Sequence, residues 1–275
     1  EDVLLASLNN TAAADITYFD AFTINDKNKL QTYDFLPDWN PDLLLGTGYI
    51  ASAVLLKSDS TLNTFFVEEN CIASALANAY LSGANFIVNH EPLSFTNKYT
   101  TKKNLNGLKN TIDQHHLQTE NLTGKVLAVK WPLLSKPLVS LVIPTYNGKE
   151  LVKACIESIL EKTIYPNYEI LLVDNNSDDP ECLRYFDSLK EHPQITVIRY
   201  PHPFNYSAIN NFAVEHAQGE VIGLVNNDIE VITPQWLEYM AGHAMRDDIG
   251  CVGAKLLYSD GRIQHAGVVM GYGGG

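Results

Sequence analysis

Apolar blocks alternate with amphipathic blocks from residue 138 onward. Runs rich in Val, Ile and Leu, such as residues 138–143, are typical of strands buried on both faces of a parallel sheet. Between the runs, apolar positions recur at helical spacing, as at Leu151, Cys155 and Ile159. The pattern predicts an α/β domain whose mostly parallel sheet is covered by helices on both faces.

Turn and cap residues set the expected bounds of these elements. Asp179-Pro180 is typical of an N-cap followed by a proline in the first turn of a helix. A later helix is expected to begin near Ser207 and to close at Gly219, because glycine commonly follows helix ends. The predicted strands cover residues 138–143, 169–173, 195–200, 221–225 and about 251–257.

The first part of the chain has a different pattern, which predicts a smaller α+β domain over residues 1–130. A loop is expected from its first strand to Pro41, and residues 131–137 are expected to link this domain to the second one, residues 138–275. The elements expected in the first domain are a helix over residues 3–13, strands near 16–18 and 85–88, a helix through Ile72 and Ala79, and a helix over 102–116.

Composition excludes several classes of function. The chain of 275 residues is 45% hydrophobic, as expected of one or two folded domains. Its net charge of −13 argues against nucleic acid as a partner, since phosphate contacts need clustered Lys and Arg. The four cysteines form no CxxC pair, so structural zinc is not indicated. No apolar run reaches membrane-spanning length and Glu1-Asp2 is not typical of a signal peptide, so a cytoplasmic location is expected.

Polar clusters directly follow three of the predicted strands. In open α/β sheets ligands bind beyond the carboxyl ends of the strands, so the clusters are expected to line one crevice. The alternative is that these residues are ordinary turn formers. The clusters are Pro144, Thr145, Tyr146 and Asn147; Asp174, Asn175, Asn176 and Ser177; and Asn226, Asn227 and Asp228.

The residue types in these clusters suit a nucleotide diphosphate. Asp174 can accept a hydrogen bond from a base N–H or a ribose hydroxyl, and Thr145 and Asn147 can contact the base edge. The chain contains no GxGxxG and no GxxxxGK[ST] loop to hold the phosphates. A divalent cation, Mn²⁺ or Mg²⁺, is therefore expected to neutralise them, with the carboxylate of Asp228 as its ligand.

Four segments carry a family resemblance: Ser-Leu-Val-Ile-Pro-Thr-Tyr-Asn at 140–147, Tyr-Glu-Ile-Leu-Leu-Val-Asp-Asn-Asn-Ser at 168–177, Ala-Ile-Asn-Asn at 208–211, and Leu-Val-Asn-Asn-Asp at 224–228. They resemble the family-two inverting glycosyltransferases of the GT-A fold. Residues 252–258 and 261–267 also resemble the family members that build bacterial surface polysaccharides. The resemblance implies a UDP-, GDP- or dTDP-linked sugar donor, a saccharide or lipid-linked saccharide acceptor, and transfer to a hydroxyl.

The same resemblance assigns expected roles to particular residues. It places residues 144–147, Asp174 and Asn175 on the nucleoside and Asn210 near the donor. It also places residues 226–228 at the DxD metal motif, where this chain has Asn instead of the first Asp. For His265 the alternatives are a second metal ligand, a contact to the diphosphate, or a structural histidine.

Residues 15–20 and 37–45 resemble the acceptor-side half of the same kind of module. Glu69 then falls near the family's acidic catalytic motif, on an amphipathic helix, and is the candidate catalytic base; the alternative is an exposed helix glutamate. The chain thus resembles the back half of one module followed by the front half of a second. Such halves are expected either to belong to a tandem enzyme or to associate with each other as a permuted domain.

The functional prediction is a metal-dependent glycosyltransferase of polysaccharide synthesis, located in the cytoplasm and peripheral to the inner membrane through its partners. The alternative is a non-catalytic nucleotide-sugar-binding module or an inactive fragment of a tandem enzyme. Binding without hydrolysis or transfer of the donor would separate the second reading from the first.

Overall fold

The computed structural model describes residues 14–24, 27, 29–50, 54–58, 60–68, 71–97, 105–123 and 125–268. Contacts divide the chain into two compact units, residues 1–130 and 131–275, and each is described by itself. The helix predicted over residues 3–13 lies outside the described residues.

The first unit is built around a mixed sheet. In its described part, β1 (Ile16–Ile24) pairs antiparallel with β2 (Leu30–Asp34) and β3 (Val54–Leu56), and parallel with β4 (Phe86–Asn97). The segment predicted as a loop up to Pro41 thus contains a strand. Local sequence did not indicate β2, because its polar and aromatic residues are held as a strand by pairing with β1.

Buried residues of α1 (Pro41–Thr47), α2 (Ser60–Glu68) and α3 (Ile72–Leu81) form the first core together with the sheet. A further helix, α4 (Leu105–Gln114), packs against α1 and α3 and is followed by a hairpin of β5 (Gln118–Asn121) and β6 (Leu127–Lys130). Ile16 and Tyr18 of β1 are buried against Leu44 of α1 and Leu76 of α3. Each fully buried aliphatic side chain stabilises the fold by about 1.5–3 kcal/mol. The expected α+β architecture is confirmed.

The Trp39-Asn40-Pro41 segment leads into α1. The ring of Trp39 stacks on Phe86 of β4, with centroids 4.0 Å apart and planes 9° from parallel. Asn40 is the N-cap: its Oδ1 accepts from the Leu43 amide at 2.8 Å, and Pro41 follows in the first turn, where no donor is needed. The helix ends at Gly48, whose φ of 57° is left-handed.

The second unit has a parallel four-stranded sheet among its described residues. Its strands are β7 (Val139–Thr145), β8 (Tyr168–Asp174), β9 (Ile195–Arg199) and β10 (Val221–Leu224), in the order β10-β7-β8-β9. The connecting helices are α5 (Lys149–Lys162), α6 (Pro180–Leu189) and α7 (Tyr206–Val214), and α8 (Trp236–Ala244) follows the sheet. The predicted α/β class and the parallel sheet are confirmed.

Both faces of this sheet are covered. Leu141 and Ile143 of β7 point to the face on which α5, α6 and α8 pack, as shown by their shared core with Ile156. Val142, between them in sequence, points to the opposite face and packs with Ile209 of α7. This alternation along a strand buried on both sides explains the continuous apolar runs of the sequence.

The helix α7 ends at Val214, and the predicted end at Gly219 is wrong. Gly219 instead crosses close to β7: a Cβ on it would lie 2.6 Å from both the amide nitrogen and Oγ of Ser140. Its own N–H donates to Ser140 Oγ at 2.8 Å, and that hydroxyl donates to Glu169 Oε1 at 2.6 Å. Glycine is required here because the two backbone segments approach closely, and not because a helix ends at this position.

The end of the second unit also differs from prediction. The strand expected over residues 251–257 is reduced to β11 (Leu256–Leu257), which pairs antiparallel with β12 (Ile263–His265) apart from the parallel sheet. The predicted linker falls within the second unit and contacts it. The Arg246 guanidinium lies 4.2 Å from the ring centroid of Trp131, and Tyr165 donates to the Pro137 carbonyl at 2.7 Å.

Candidate functional site

The three polar clusters meet at one edge of the parallel sheet. Because β7 lies between β10 and β8, the segments that follow these strands are neighbours. The Asn175 amide donates to the Thr145 carbonyl at 2.8 Å, and Asn227 Nδ2 donates to Thr145 Oγ1 at 2.9 Å. Thr145 Oγ1 in turn donates to the Asn147 carbonyl at 3.2 Å. Thr145, which is buried, therefore connects all three segments.

Asn147 joins the loop after β7 to the loop after β8. Its Oδ1 accepts from the amides of Asp178 and Asp179, both at 3.1 Å, and its Nδ2 donates to Asp178 Oδ1 at 2.9 Å. Its own amide donates to Ser177 Oγ at 2.8 Å. We call these contacts the Asn147 clasp. The clasp occupies the amide group that the sequence prediction placed on the base edge.

The backbone at the clasp is left-handed at two successive residues. Asn147 has a φ of 50° and Gly148, which is the N-cap of α5, a φ of 70°. Asparagine and glycine are the residues that adopt this conformation most readily. The turn lets the chain reverse within two residues, so that Asn147 faces the loop after β8.

Asp174 forms a paired carboxylate at the end of β8. Its side chain is 5% exposed, and its two oxygens accept from the Ser177 amide at 2.8 Å and from Arg199 Nη1 at 2.9 Å. A buried carboxylate needs such partners because removing the charge from water is costly. Arg199 is itself 50% exposed, which leaves part of its guanidinium facing solvent at the same edge of the sheet.

Sequence reasoning missed Arg199. It stands at the last position of β9, the equivalent of Asp174 one strand further along, and its register partner is Asp174. One signal in the sequence could have identified Arg199. The predicted strand that ends in Asp174 is followed by a strand that ends in a basic residue, and neighbouring parallel strands place these two ends side by side. In a chain of net charge −13, this cation is placed where an anionic or carbonyl group of a ligand could meet it.

The remaining residues of the first two clusters divide into buried and exposed groups. Asn175 is buried, and its Nδ2 donates to the carbonyls of Tyr200 and His202 at 3.2 and 2.7 Å, which anchors the loop after β9. Pro144 is half-buried within β7. The ring of Tyr146 is exposed immediately beyond the strand, where it could stack on a planar ligand.

Helix α5 anchors the segment that contains Asn226, Asn227 and Asp228. The Cys155 thiol donates to the Asn226 carbonyl at 3.6 Å, and two groups of α5 hold Val231: Ser158 Oγ accepts from its amide at 3.0 Å, and Lys162 Nζ donates to its carbonyl at 2.9 Å. Burial, with a smaller effect from the charge of Asp228, raises the pKa of Cys155 to about 12. This cysteine therefore remains a neutral thiol and serves as an anchor.

Asp228 and His265 are the predicted metal ligands. The side chain of Asp228 is exposed at the edge of the sheet, whereas His265 lies half-buried on β12. Within the part of the chain that the structure describes, no group of three or more His, Cys, Asp or Glu side chains could hold a metal ion. Asp228 alone fits the way Mg²⁺ and Mn²⁺ often bind, by one or two carboxylates together with substrate phosphates.

Asn210 is buried in α7 with one unused polar atom. Its Nδ2 donates to the Tyr206 carbonyl at 2.7 Å, but its Oδ1 has no hydrogen-bond partner. Buried amide oxygens are rarely left in this state. The helix begins at the same edge of the sheet as the clusters, capped by Asn205 Oδ1, which accepts from the Ala208 amide at 3.0 Å.

The candidate base, Glu69, lies outside the described residues. Helix α2 ends at Glu68, and the helix predicted through Ile72 and Ala79 is confirmed as α3, which begins at Ile72 with Cys71 as its N-cap. Ala75 of α3 is buried in the core of the first unit. None of the helices in the described ranges is both long and apolar enough to cross a membrane.

Several known proteins are similar to this chain in sequence or in structure. The chain is 36% identical over 95% of its length to the uncharacterized protein y4gI of Sinorhizobium fredii, and 31% identical over 86% to the O-antigen biosynthesis protein RfbC of Myxococcus xanthus. It spans only 31% and 20% of those two proteins. Among solved structures, a mannosyltransferase of Pyrobaculum calidifontis in complex with GDP-Man and Mn²⁺ is similar to part of the chain. The alignment covers 44% of this chain and 37% of the mannosyltransferase chain, with 22% sequence identity and a TM-score of 0.38.

The strand-end clusters fall inside a region that a protein-family model describes. Residues 140–268 match the model of glycosyl transferase family 2, and this range includes every predicted site residue except Glu69. It begins on β7 and extends beyond β12, so it covers the whole parallel sheet. This match covers slightly less than half of the chain, and all of it lies in the second unit.

Proposed function

We propose that the second unit binds the diphosphate nucleotide of an activated sugar at the strand-end clusters. We further propose that the protein transfers this sugar, with inversion, to a hydroxyl of a saccharide or lipid-linked saccharide. The observation that carries the proposal is the mutual hydrogen bonding of three polar segments beyond adjacent parallel strands, within the region that matches the model of glycosyl transferase family 2. Similarity to an O-antigen biosynthesis protein supports polysaccharide synthesis as the process, and a cytoplasmic location stays a prediction from the sequence.

The contacts of each residue suggest how the nucleoside is held. The exposed ring of Tyr146 would stack on the base, and the exposed part of Arg199 would meet a carbonyl or phosphate oxygen. Asn147 and Asp174 already use their polar groups within the protein, so their contribution would be to hold the loops in place. The Oδ1 atom of Asn210, which has no hydrogen-bond partner in the protein, would accept a hydrogen bond from a hydroxyl of the nucleotide sugar.

A divalent cation would be held by Asp228, with Asn226 and Asn227 beside it. Bound Mn²⁺ or Mg²⁺ supplies positive charge that stabilises a leaving diphosphate. The protein's part is to present the Asp228 carboxylate on a fixed segment, which the contacts of α5 with Asn226 and Val231 accomplish. Both the backbone anchor and the exposed carboxylate are compatible with this role.

Calorimetric titration with UDP, GDP and dTDP, each with and without Mn²⁺, tests the proposal. One nucleotide is expected to bind, more tightly with Mn²⁺, and Asp228→Asn should weaken the Mn²⁺-dependent binding by about tenfold or more. Asp187→Asn is the matched control, because Asp187 is an exposed carboxylate of α6 that pairs with Lys190. Absence of binding by every nucleotide in both conditions would refute the donor site.

Transfer requires a base, for which Glu69 is the proposed residue. A non-catalytic nucleotide-sugar-binding module is the second candidate, supported by the single carboxylate of the Asn226-Asn227-Asp228 motif. Donor hydrolysis or transfer that Glu69→Gln abolishes would support the enzyme, whereas tight nucleotide binding with no turnover of any donor would support the module. Sedimentation velocity would test self-association of complementary halves, which predicts a concentration-dependent dimer.

A further inference from the structure

Two aromatic rings on the sheet of the first unit lie parallel to each other and open to solvent. Tyr33 of β2 and Phe35 just beyond it have ring centroids 5.9 Å apart, with 6° between their planes. Their exposed fractions are 55% and 73%. Phe22 of β1, the register partner of Tyr33, packs against the Tyr33 ring with centroids 4.9 Å apart and nearly edge-on. Exposed aromatic surface held in a fixed orientation is typical of a binding site.

Polar groups adjoin these rings. Asp20 lies two positions before Phe22 on β1, and its Oδ1 accepts from the amide of Leu36, the residue after Phe35, at 2.8 Å. Its buried carboxylate lies 3.3 Å from Nδ1 of His90, whose Nε2 lies 3.1 Å from Oδ1 of Asp38. Asp38 follows Phe35 by three residues and is 91% exposed. An imidazole and an exposed carboxylate therefore stand beside the aromatic pair.

We propose that Tyr33, Phe35, His90 and Asp38 form a saccharide-binding surface. A pyranose ring presents one face of C–H groups, which packs on the negative face of an aromatic ring, and an edge of hydroxyls. The carboxylate of Asp38 can accept from these hydroxyls, and His90 is held in orientation by the buried Asp20. The inference rests on the proposed function, because it supplies a site for the saccharide acceptor.

Charge and area distinguish a saccharide from other occupants. Asp20 and Asp38 would repel phosphate, which argues against nucleic acid and anionic lipid. A second copy of the chain would need about 800 Å² from each partner for a stable interface. Two aromatic side chains that are partly covered offer less than half of that area, since each buries at most about 150–250 Å². The surface matches one or two sugar rings in size.

Saturation-transfer difference NMR on the full chain tests the surface. The probes are methyl β-D-glucopyranoside, methyl α-D-mannopyranoside and methyl α-L-rhamnopyranoside. At least one is expected to show saturation transfer, strongest at the protons of one ring face. Phe35→Ala and Tyr33→Ala should each weaken its binding by about tenfold, the loss expected for one stacking partner. Phe35→Tyr keeps the stacking ring and should retain binding.

Controls separate this inference from loss of folding and from the donor site. Tyr258→Ala removes a comparably exposed aromatic residue of the second unit and should leave glycoside binding unchanged. Thermal unfolding of each variant must remain as in the parent chain. Nucleotide binding with Mn²⁺, titrated on the same samples, reports the proposed function independently, so glycoside binding without nucleotide binding would sustain the surface and refute the donor site.

Two results would overturn the inference. The first is that no glycoside gives saturation transfer, or that the signal is equal in the parent and in the Tyr33→Ala/Phe35→Ala double variant. The second is that the parent chain sediments as a dimer which the double variant dissociates. In that case the aromatic pair is an interface between copies.

Discussion

The Asn147 clasp makes a quantitative prediction about stability. Replacing Asn147 by Gly keeps the left-handed backbone but removes three side-chain hydrogen bonds, two to the amides of Asp178 and Asp179 and one to the Asp178 carboxylate. At about 0.5–1.5 kcal/mol each, and toward the lower value because the loop is partly exposed, the loss is about 1.5–3 kcal/mol. Replacing Asn147 by Ala adds about 1 kcal/mol, because φ is 50° and Ala resists that conformation.

Urea unfolding followed by tryptophan fluorescence measures these losses. In a Trp39→Phe background the remaining tryptophans, Trp131 and Trp236, both report on the second unit. Asn106→Ala, at an exposed position of α4 in the first unit, is the matched control and should not shift that transition. The reasoning is refuted if Asn147→Gly and Asn147→Ala unfold at the parent free energy, or if Gly costs more than Ala.

Three further predictions concern other parts of the fold. Arg199→Leu deprives the buried carboxylate at the end of β8 of its cation and should destabilise the second unit by about 1–3 kcal/mol in urea, whereas Arg199→Lys should recover part of the loss. Gly219→Ala places a Cβ 2.6 Å from atoms of β7 and should cost about 1–3 kcal/mol, while Gly250→Ala, which meets nothing within 4 Å, should be nearly neutral; equal effects would contradict the close approach. The pKa of His90 is raised, chiefly by its hydrogen bond with Asp38. Protonated His90 therefore stabilises the first unit fully below the usual pKa of histidine, and this stabilisation is lost as the pH rises through the raised pKa of the folded state. Urea unfolding of the first unit from pH 5.5 to 8.5 should show this fall in the parent and not in His90→Gln, and identical pH profiles would disprove it.

Much of the second unit could be predicted from sequence because its signals are local. The Val- and Ile-rich runs gave the positions of β7 to β10, and Asp179-Pro180 marked the start of α6, whose N-cap Asp179 accepts from the Glu181 amide at 3.1 Å. The convergence of the clusters also followed, since parallel strands place their carboxyl ends at one edge. These inferences need only periodicity, caps and the chirality of βαβ connections.

The errors arose where a distant partner decides the structure. Gly219 was expected to end a helix, but its environment is set by Ser140, which is remote in sequence. The strand β2 exists through pairing with β1, and β11 through pairing with β12. The contacts of Arg199 depend on Asp174, which lies on the neighbouring strand. The residues next to each of these positions in sequence do not show which distant residue it will contact.

By itself, the sequence determined the α/β class of the second unit, the strands that build its sheet and the residue types available at the carboxyl edge. Only the tertiary structure decided how those residues are used. It showed that the side chains of Asn147 and Asp174 are hydrogen-bonded within the protein. The side chains of Tyr146 and Asp228 and part of the Arg199 side chain remain exposed. The physical reason is that secondary structure follows from short-range periodicity, whereas the availability of a side chain depends on every group that folding brings within hydrogen-bond distance of it.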